Sequence, residues 1–288
     1  MSIAPAVNEW FIAHKRDLPW RADGFGAWGI LVSEIMLQQT PVVRVIPRLE
    51  QWLERWPTPA DLAAAPAGDA VRAWERLGYP RRALNLHAAA VAITRDHGGT
   101  VPSDVDALLA LPGIGAYTAR AVAAFAFGLR VPVVDTNVRR VLARAIDGVG
   151  EAGPASTRRD LAAMEAQLPL DLAEARTFNA GVMELGAVIC TARSPRCADC
   201  PIAGACAWRW AGYPEYVGPR RAGQKRYEGS DRQVRGVILA SLRSRSGALP
   251  AEELPRLWSD AVQRGRALDG LLADGLVIGS PEDGYRLP

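Results

Sequence analysis

Apolar residues recur at three- and four-residue intervals through most of the chain. Trp28, Leu31, Val32, Ile35 and Met36 repeat at helical spacing. Leu84, Ala88, Val91 and Ala92 do the same, as do Val138, Val141, Leu142 and Ala145. This period lays one stripe of a helix against a core. Proline and glycine interrupt it at Pro57-Thr58-Pro59, Gly98-Gly99, Pro112-Gly113 and from Gly148 to Gly150, which predicts turns there. No strand-like alternation of any length precedes residue 270. The pattern predicts a mainly α domain over residues 1–211.

The pattern changes after Cys206. Gly212-Tyr213-Pro214 and Gly218-Pro219-Arg220-Arg221-Ala222-Gly223 predict a linker over 212–228. Beyond it a helix is expected from Asp231 to Arg243, with Val234, Val237, Ile238 and Leu242 facing inward. Shorter helices are expected from Ala251 to Leu257 and from Ser259 to Ala273. Leu276-Val277-Ile278 and Tyr285-Arg286-Leu287 then flank a Ser-Pro-Glu-Asp-Gly turn. Three helices followed by a hairpin predict a small winged-helix-like α+β module over 229–288.

A length of 288 residues fits two domains. With 49% hydrophobic and 23% charged residues, the chain can fill a core and is not of a disordered class. No apolar run approaches the roughly 18 residues of a membrane span. The N-terminus lacks a basic patch followed by an apolar core. A soluble monomer is expected, cytoplasmic and nucleoid-associated in a bacterium, with no membrane partner. The net charge of +3 permits nucleic-acid binding without arguing for it. All basic residues but Lys15 and Lys225 are Arg. That suits phosphates, and an Arg-rich genome produces the same bias.

Cys190, Cys197, Cys200 and Cys206 are the chain's cysteines, spaced Cys-x6-Cys-x2-Cys-x5-Cys. Thiolates this close could hold a tetrahedral zinc or a [4Fe–4S] cluster. Zinc usually takes two short Cys pairs, and only Cys197 and Cys200 form one. The uneven spacing suits the corners of a larger cube better. All four positions would be protein ligands, so the metal is expected to be structural.

Leu111-Pro112-Gly113-Ile114-Gly115 lies between two helical segments, Val105 to Ala110 and Ala116 to Phe127. Gly113 and Gly115 would let the backbone approach a partner closely. The N–H groups opening the second helix could bind a phosphate. A tight helix–helix turn is the plainer reading of a lone Gly-x-Gly. With Thr118-Ala119 following, the segment (about 105–127) resembles a helix-hairpin-helix DNA-binding element.

Together these features resemble the endonuclease III superfamily of DNA glycosylases, over roughly residues 8–208. In that family a helix-hairpin-helix is followed by an aspartate and then by a [4Fe–4S] loop of this spacing. Asp135 stands at the aspartate's place, in Val133-Val134-Asp135-Thr136-Asn137-Val138. Within the superfamily the chain is similar to the adenine DNA glycosylases of the MutY type. Leu18-Pro19-Trp20-Arg21 and Ser33-Glu34-Ile35-Met36-Leu37-Gln38-Gln39-Thr40 resemble their N-terminal signature and catalytic helix. Leu77-Gly78-Tyr79 resembles their wedge, and Phe178-Asn179 with Glu184-Leu185-Gly186 resembles the helix before the cluster loop.

The resemblance implies a helix-hairpin-helix glycosylase fold, a [4Fe–4S] cluster on Cys190, Cys197, Cys200 and Cys206, and base excision from double-stranded DNA. The target base must leave the duplex, and cleavage of its glycosidic bond leaves an oxocarbenium-like sugar. Glu34, among apolar helix neighbours, would have a raised pKa and protonate adenine N7, then activate water. Asp135 would stay ionised beside the sugar while capping the following helix. Tyr117 and Asn137 would orient water and the second carboxylate. Tyr117 occupies the place of the Schiff-base Lys of bifunctional relatives. A phenol forms no imine, so base excision without efficient strand cleavage is expected. Gln39 and Tyr79 would fill the gap left by the base, assisted by Gln38 and Thr40, and Trp20 and Arg21 would line the adenine pocket. For Tyr79, Tyr117 and Trp20, ordinary packing is the plainer alternative.

The family's lesion-reading C-terminal domain carries a Phe-Ser-His loop. This sequence has no Phe after Phe178 and no His after His97, so no such loop is expected. The second Tyr of the wedge is replaced by Pro80, and an expected adenine-contacting Gln or Glu by Ala180. The expected substrate is adenine opposite 8-oxoguanine or guanine. A thymine/uracil mismatch glycosylase on the same scaffold is a second reading, and a non-catalytic iron–sulfur DNA-binding protein a third. Glu34, absent from the mismatch enzymes, argues against the second. Glu34 with Asp135 argues against the third.

Overall fold

The computed structural model describes residues 2–219 and 226–288. Residues 220–225 of the expected linker lie outside the described residues. The helices run α1 (Ala4–His14), α2 (Ala27–Leu37), α3 (Val42–Arg55), α4 (Pro59–Ala64), α5 (Ala67–Trp74), α6 (Arg81–Asp96), α7 (Val105–Leu109), α8 (Ala116–Phe127), α9 (Thr136–Ala145), α10 (Thr157–Glu165), α11 (Leu172–Val188), α12 (Ala207–Trp210), α13 (Asp231–Arg243), α14 (Leu254–Leu257) and α15 (Ala261–Ala273). Two strands close the chain, β1 (Ile278–Ser280) and β2 (Gly284–Arg286). The class is mainly α with a small C-terminal sheet, as the patterning predicts. Among the described residues no helix is long and apolar enough to cross a membrane.

Short polar side chains set where several helices begin, by accepting the N–H groups a helix start leaves unpaired. Thr58 and Asp61 form a reciprocal capping box on α4. Asp104, Asp135, Asp171 and Asp260 cap α7, α9, α11 and α15. Gly128 ends α8 in the left-handed conformation, φ 69°.

The chain forms two compact units. The first comprises Met1–Leu31, Ser103–Ala110 and Ile114–Ala222. Its core joins Val7 of α1, Val138, Val141 and Leu142 of α9, and Phe178, Val182 and Leu185 of α11. Gly181 lets α1 approach α11, since a Cβ there would lie 2.8 Å from Val7 Cγ1.

The second unit comprises Val32–Pro102, Leu111–Gly113 and Gly223–Pro288. Trp52 of α3 meets Trp74 of α5 edge-on, ring centroids 5.6 Å apart, and the Trp74 indole donates to Gly78 O at 2.9 Å. On α6 the fully buried positions are Ala83, Leu86, Ala89, Ala90 and Ile93. The repeat Leu84, Ala88, Val91 and Ala92 finds this helix but runs alongside the buried face, because an alanine-rich helix has apolar residues on most sides.

The C-terminal residues in this unit take the three-helix and hairpin form expected of them. α13 packs on α15, and β1 pairs antiparallel with β2 in the register Gly279↔Tyr285. Leu249 adds a bridge to Tyr285. The first strand begins at Ile278. Leu276 and Val277, predicted within it, are buried before it starts, because their N–H groups both bond to Leu271 O at the end of α15 instead of to a strand. Arg72 of α5 donates to Arg243 O and Arg245 O, both at 3.2 Å, and Arg243 Nε returns a bond to Val71 O at 3.0 Å.

Candidate functional site

Glu34 lies in the part of α2 that belongs to the second unit, and it is 5% exposed. Its helix is buried around most of its circumference, through Ile30, Leu31, Val32, Ile35 and Met36. Past Leu37 the chain turns sharply. Gln39 takes φ 56° and is exposed, and Thr40 is buried. Across this corner, Tyr79 takes φ 47° and is 44% exposed. Left-handed backbone is uncommon for residues with a side chain and is a form of strain found at functional sites. Gln38 is half-buried. Thr40 Oγ1 donates to Leu77 O at 3.0 Å, tying the two turns together.

Arg82 of α6, unremarked in the sequence, is 8% exposed. Its Nη1 donates to the carbonyls of Ile35 (2.7 Å), Met36 (3.0 Å) and Gln38 (2.7 Å). Its Nη2 donates to Thr40 Oγ1 and Gly78 O, both at 3.0 Å. Burial pulls its pKa down to about 10, so it remains a cation at neutral pH. No local pattern marks it, since most of its partners, from Ile35 to Thr40, lie more than 40 residues away at the end of α2 and the corner beyond it.

In the first unit Asp135 opens α9. Its Oδ1 accepts the N–H of Val138 at 2.7 Å, and its Oδ2 accepts the amide of Asn137 at 2.8 Å. Burial pushes the Asp135 carboxyl above its ordinary value, while these hydrogen bonds and the Arg140 charge pull the other way. Asn137 Oδ1 accepts Arg140 Nη2 at 2.8 Å, and Arg140 Nε donates to Cys190 O at 2.7 Å. The aspartate is thus joined through two side chains to the backbone of the first cysteine. Gly186 makes room for this arrangement, because a Cβ there would lie 2.7 Å from Asn137 Cβ.

Tyr117 is half-buried in the first turn of α8. The two hairpin glycines differ. Gly113 has φ 74° and a Cβ there would lie 2.5 Å from Asn85 Cβ, so glycine is required. Gly115 caps α8 with extended backbone (φ −97°), and a Cβ there would meet nothing within 4 Å. Close packing therefore explains Gly113 and leaves Gly115 open to a partner.

Trp20 and Arg21 sit in a short 3-10 turn, Pro19–Arg21. Arg21 Nη2 donates to Glu184 Oε2 at 2.9 Å, and its guanidinium lies 5.0 Å from the Phe11 ring centroid. Glu184 also accepts Arg16 Nε at 2.7 Å and Nη2 at 2.8 Å. Burial would raise its pKa, but hydrogen bonds from Arg16 and Arg21 hold the carboxyl at about 2. The sequence noticed Glu184 only as part of a motif.

The four cysteines line one cavity together with Val141, Arg144, Ile189 and Trp208. No three of the described His, Cys, Asp or Glu side chains group as a single metal ion would need. Arg144 Nη1 lies 3.4 Å from Cys190 Sγ, and the Cys206 thiol donates to Arg144 O at 3.5 Å. Burial pushes the Cys200 thiol up to about 11, a cost that thiolate binding to iron would offset.

Residues 32–164 match the HhH-GPD superfamily of base excision DNA repair proteins, and residues 190–206 match the iron–sulfur binding domain of endonuclease III. Adenine DNA glycosylase of Mycolicibacterium smegmatis is 56% identical over 279 residues, covering 96% of this chain and 93% of the relative. Among solved structures, a thermostable thymine-DNA glycosylase is similar at TM-score 0.66 and 29% identity, covering 72% of this chain and 95% of that one. A trapped endonuclease III–DNA covalent intermediate shares the fold at TM-score 0.62 and 24% identity, covering 73% and 95%. The cysteine loop holds a [4Fe–4S] cluster.

Proposed function

Since the chain belongs to the adenine DNA glycosylases of base excision repair, we propose that it releases adenine mispaired with 8-oxoguanine or guanine. We further propose that it leaves the DNA strand uncut. Base excision then rests on two carboxylates with separate tasks. Glu34 donates its proton to N7 of the extruded adenine, turning it into a neutral leaving group, and then deprotonates the attacking water. The buried setting of Glu34 supports this, because a carboxyl shielded from water keeps its proton more readily. Asp135 supplies negative charge to the sugar as positive charge develops there. The Val138 N–H and the Asn137 amide orient it and favour its anionic form.

Tyr117 offers a phenol where a Schiff base would need an amine, so the sugar stays in the uncut strand as an abasic site once adenine has left. Gln39 and Tyr79 enter the space vacated by the base, with Gln38 and Thr40 shaping that corner. Trp20 and Arg21 contact the adenine, and Gly115 presents backbone N–H groups to a phosphate. Cys190, Cys197, Cys200 and Cys206 would hold the cluster, which would cross-link their loop; with all four thiolates as ligands its role would be structural. The protein acts as a monomer on cytoplasmic DNA. Residues 1–211 form the glycosylase domain, and 229–288 are a module joined through 212–228.

The observation that carries the reading is the burial of Glu34 on α2, in a chain 56% identical to an adenine DNA glycosylase. The test is single-turnover excision on duplexes with A opposite 8-oxoguanine, A opposite G, T opposite G and U opposite G, each scored with and without alkali. Release of adenine alone, with breaks only after alkali, is expected. Excision of T or U would overturn the adenine reading in favour of the mismatch enzyme.

A further inference from the structure

Gln39 and Tyr79 are exposed side chains on strained backbone at the tips of two separate turns. Neither turn has a regular hydrogen-bond ladder to hold it. A left-handed residue other than glycine persists only where its surroundings fix it. Arg82 reaches both turns. One nitrogen takes three carbonyls from the end of α2 and the corner beyond it, Ile35, Met36 and Gln38. The other takes Thr40 Oγ1 with the carbonyls of Leu77 (3.5 Å) and Gly78. Thr40 Oγ1 donates onward to Leu77 O, closing the circuit between the turns. The rings of Trp74 and Tyr79 approach the guanidinium, with centroids 5.2 and 5.5 Å away.

We propose that Arg82 is a positioning residue that fixes Gln39 and Tyr79 at the separation needed to replace the extruded base. This rests on the reading above that both side chains enter the DNA stack. The guanidinium matters as a fork. Two nitrogens aimed in different directions can serve two turns at once, whereas an ammonium is a single point of charge. The same nitrogen that holds Gln38 also caps the carbonyls of Ile35 and Met36, so the corner is referenced to the helix that carries Glu34.

The experiment compares the wild-type holoenzyme with Arg82→Lys, Thr40→Val and Tyr79→Ala. The probe is a duplex carrying non-hydrolysable 2′-fluoro-2′-deoxyadenosine opposite G, with 2-aminopurine beside the target to report extrusion. Affinity for undamaged duplex, visible cluster absorption and Tm are recorded alongside. Arg82→Lys is expected to keep cluster and duplex affinity. It is expected to lose most of the extrusion signal and about 10- to 100-fold of single-turnover excision, the scale of an ångström-sized misplacement. Thr40→Val, which breaks the circuit at one point, should lose less in the same direction, and it replaces Arg82→Lys as the deciding variant if the latter does not fold. Wild-type extrusion in the deciding variant, or lost excision with extrusion intact, would overturn the proposal. Tyr79→Ala separates the two readings. If it extrudes normally, the wedge assignment fails; if it does not while the deciding variant does, only the role of Arg82 fails.

Discussion

The amide of Asn137 lies 2.8 Å from Oδ2 of Asp135 and donates to it. The aspartate is therefore held by a side chain on one oxygen and by the helix start on the other. Burial works against its ionised form, and these two donors work for it. Removing the Asn137 donor leaves burial less opposed. Asn137→Ala should therefore move the acidic limb of the excision rate to higher pH, since Asp135 must be ionised to face the cationic sugar. A pH–rate profile of the single-turnover step checks this, and an unmoved limb would refute it.

Asp135→Asn separates function from stability. With its folded-state pKa raised above the unfolded value, Asp135 costs the fold stability as the pH rises from the unfolded pKa through the folded one, and the full cost is present above it. The asparagine has no charge to bury, and its carbonyl can still accept the Val138 N–H. The variant should melt no lower than wild type at pH 7, while excision falls by about 10²- to 10³-fold or more, as when one transition-state charge partner is lost. Parallel melting and single-turnover measurements test both halves.

Glu184 makes the opposite pH prediction. Its folded pKa is held at about 2, below the ordinary 4.5. The stability it contributes is present above the unfolded value and is lost as the pH falls from 4.5 toward 2. At roughly 1.4 kcal/mol per unit, and with Arg16 partly in solvent, about 2–3 kcal/mol is at stake. Glu184→Gln should lower Tm at pH 7 and differ little from wild type near pH 2. A constant gap across that range would contradict the assignment.

The cluster has a direct signature. The protein should be brown as purified, with equimolar iron and acid-labile sulfide and little zinc. Cys197→Ser should bleach the visible absorption and release the loop, lowering Tm. Metal analysis and the absorption spectrum decide the matter.

Tyr117 predicts what borohydride will not do. Without an amine at this position, reduction should trap no covalent protein–DNA adduct. Tyr117→Lys should introduce trapping on the same duplex, because the ε-amine can form an imine with the opened sugar. Adduct formation by the wild-type protein on a denaturing gel would refute the proposal of uncut product.

The parts of the site that were legible in the sequence are those whose chemistry is local. Four cysteines within 17 residues declare a metal loop. Asp135 two residues before Asn137 and three before Val138 is a cap that the chain writes in one stretch. Gly113 was visible as a turn, and its φ of 74° agrees. Arg82, Arg140, Arg16 and Glu184 carried no such mark. Each makes contacts that decide its role with residues 42 to 168 positions away, and no periodicity or spacing encodes a partner that distant.

By itself the sequence determined the helical class, an iron–sulfur loop over residues 190–206, the aspartate that caps a helix and an acid on an apolar helix, because these follow from period, spacing and neighbours in the chain. Only the tertiary structure decided which face of α6 is buried, since an alanine-rich helix leaves several nearly equal choices until its partners arrive. The tertiary structure alone put Gln39 and Tyr79 into left-handed backbone, and it alone brought one guanidinium to both. Charge and hydrogen bonds act through space, and folding is what turns distance along the chain into the few ångströms over which they work.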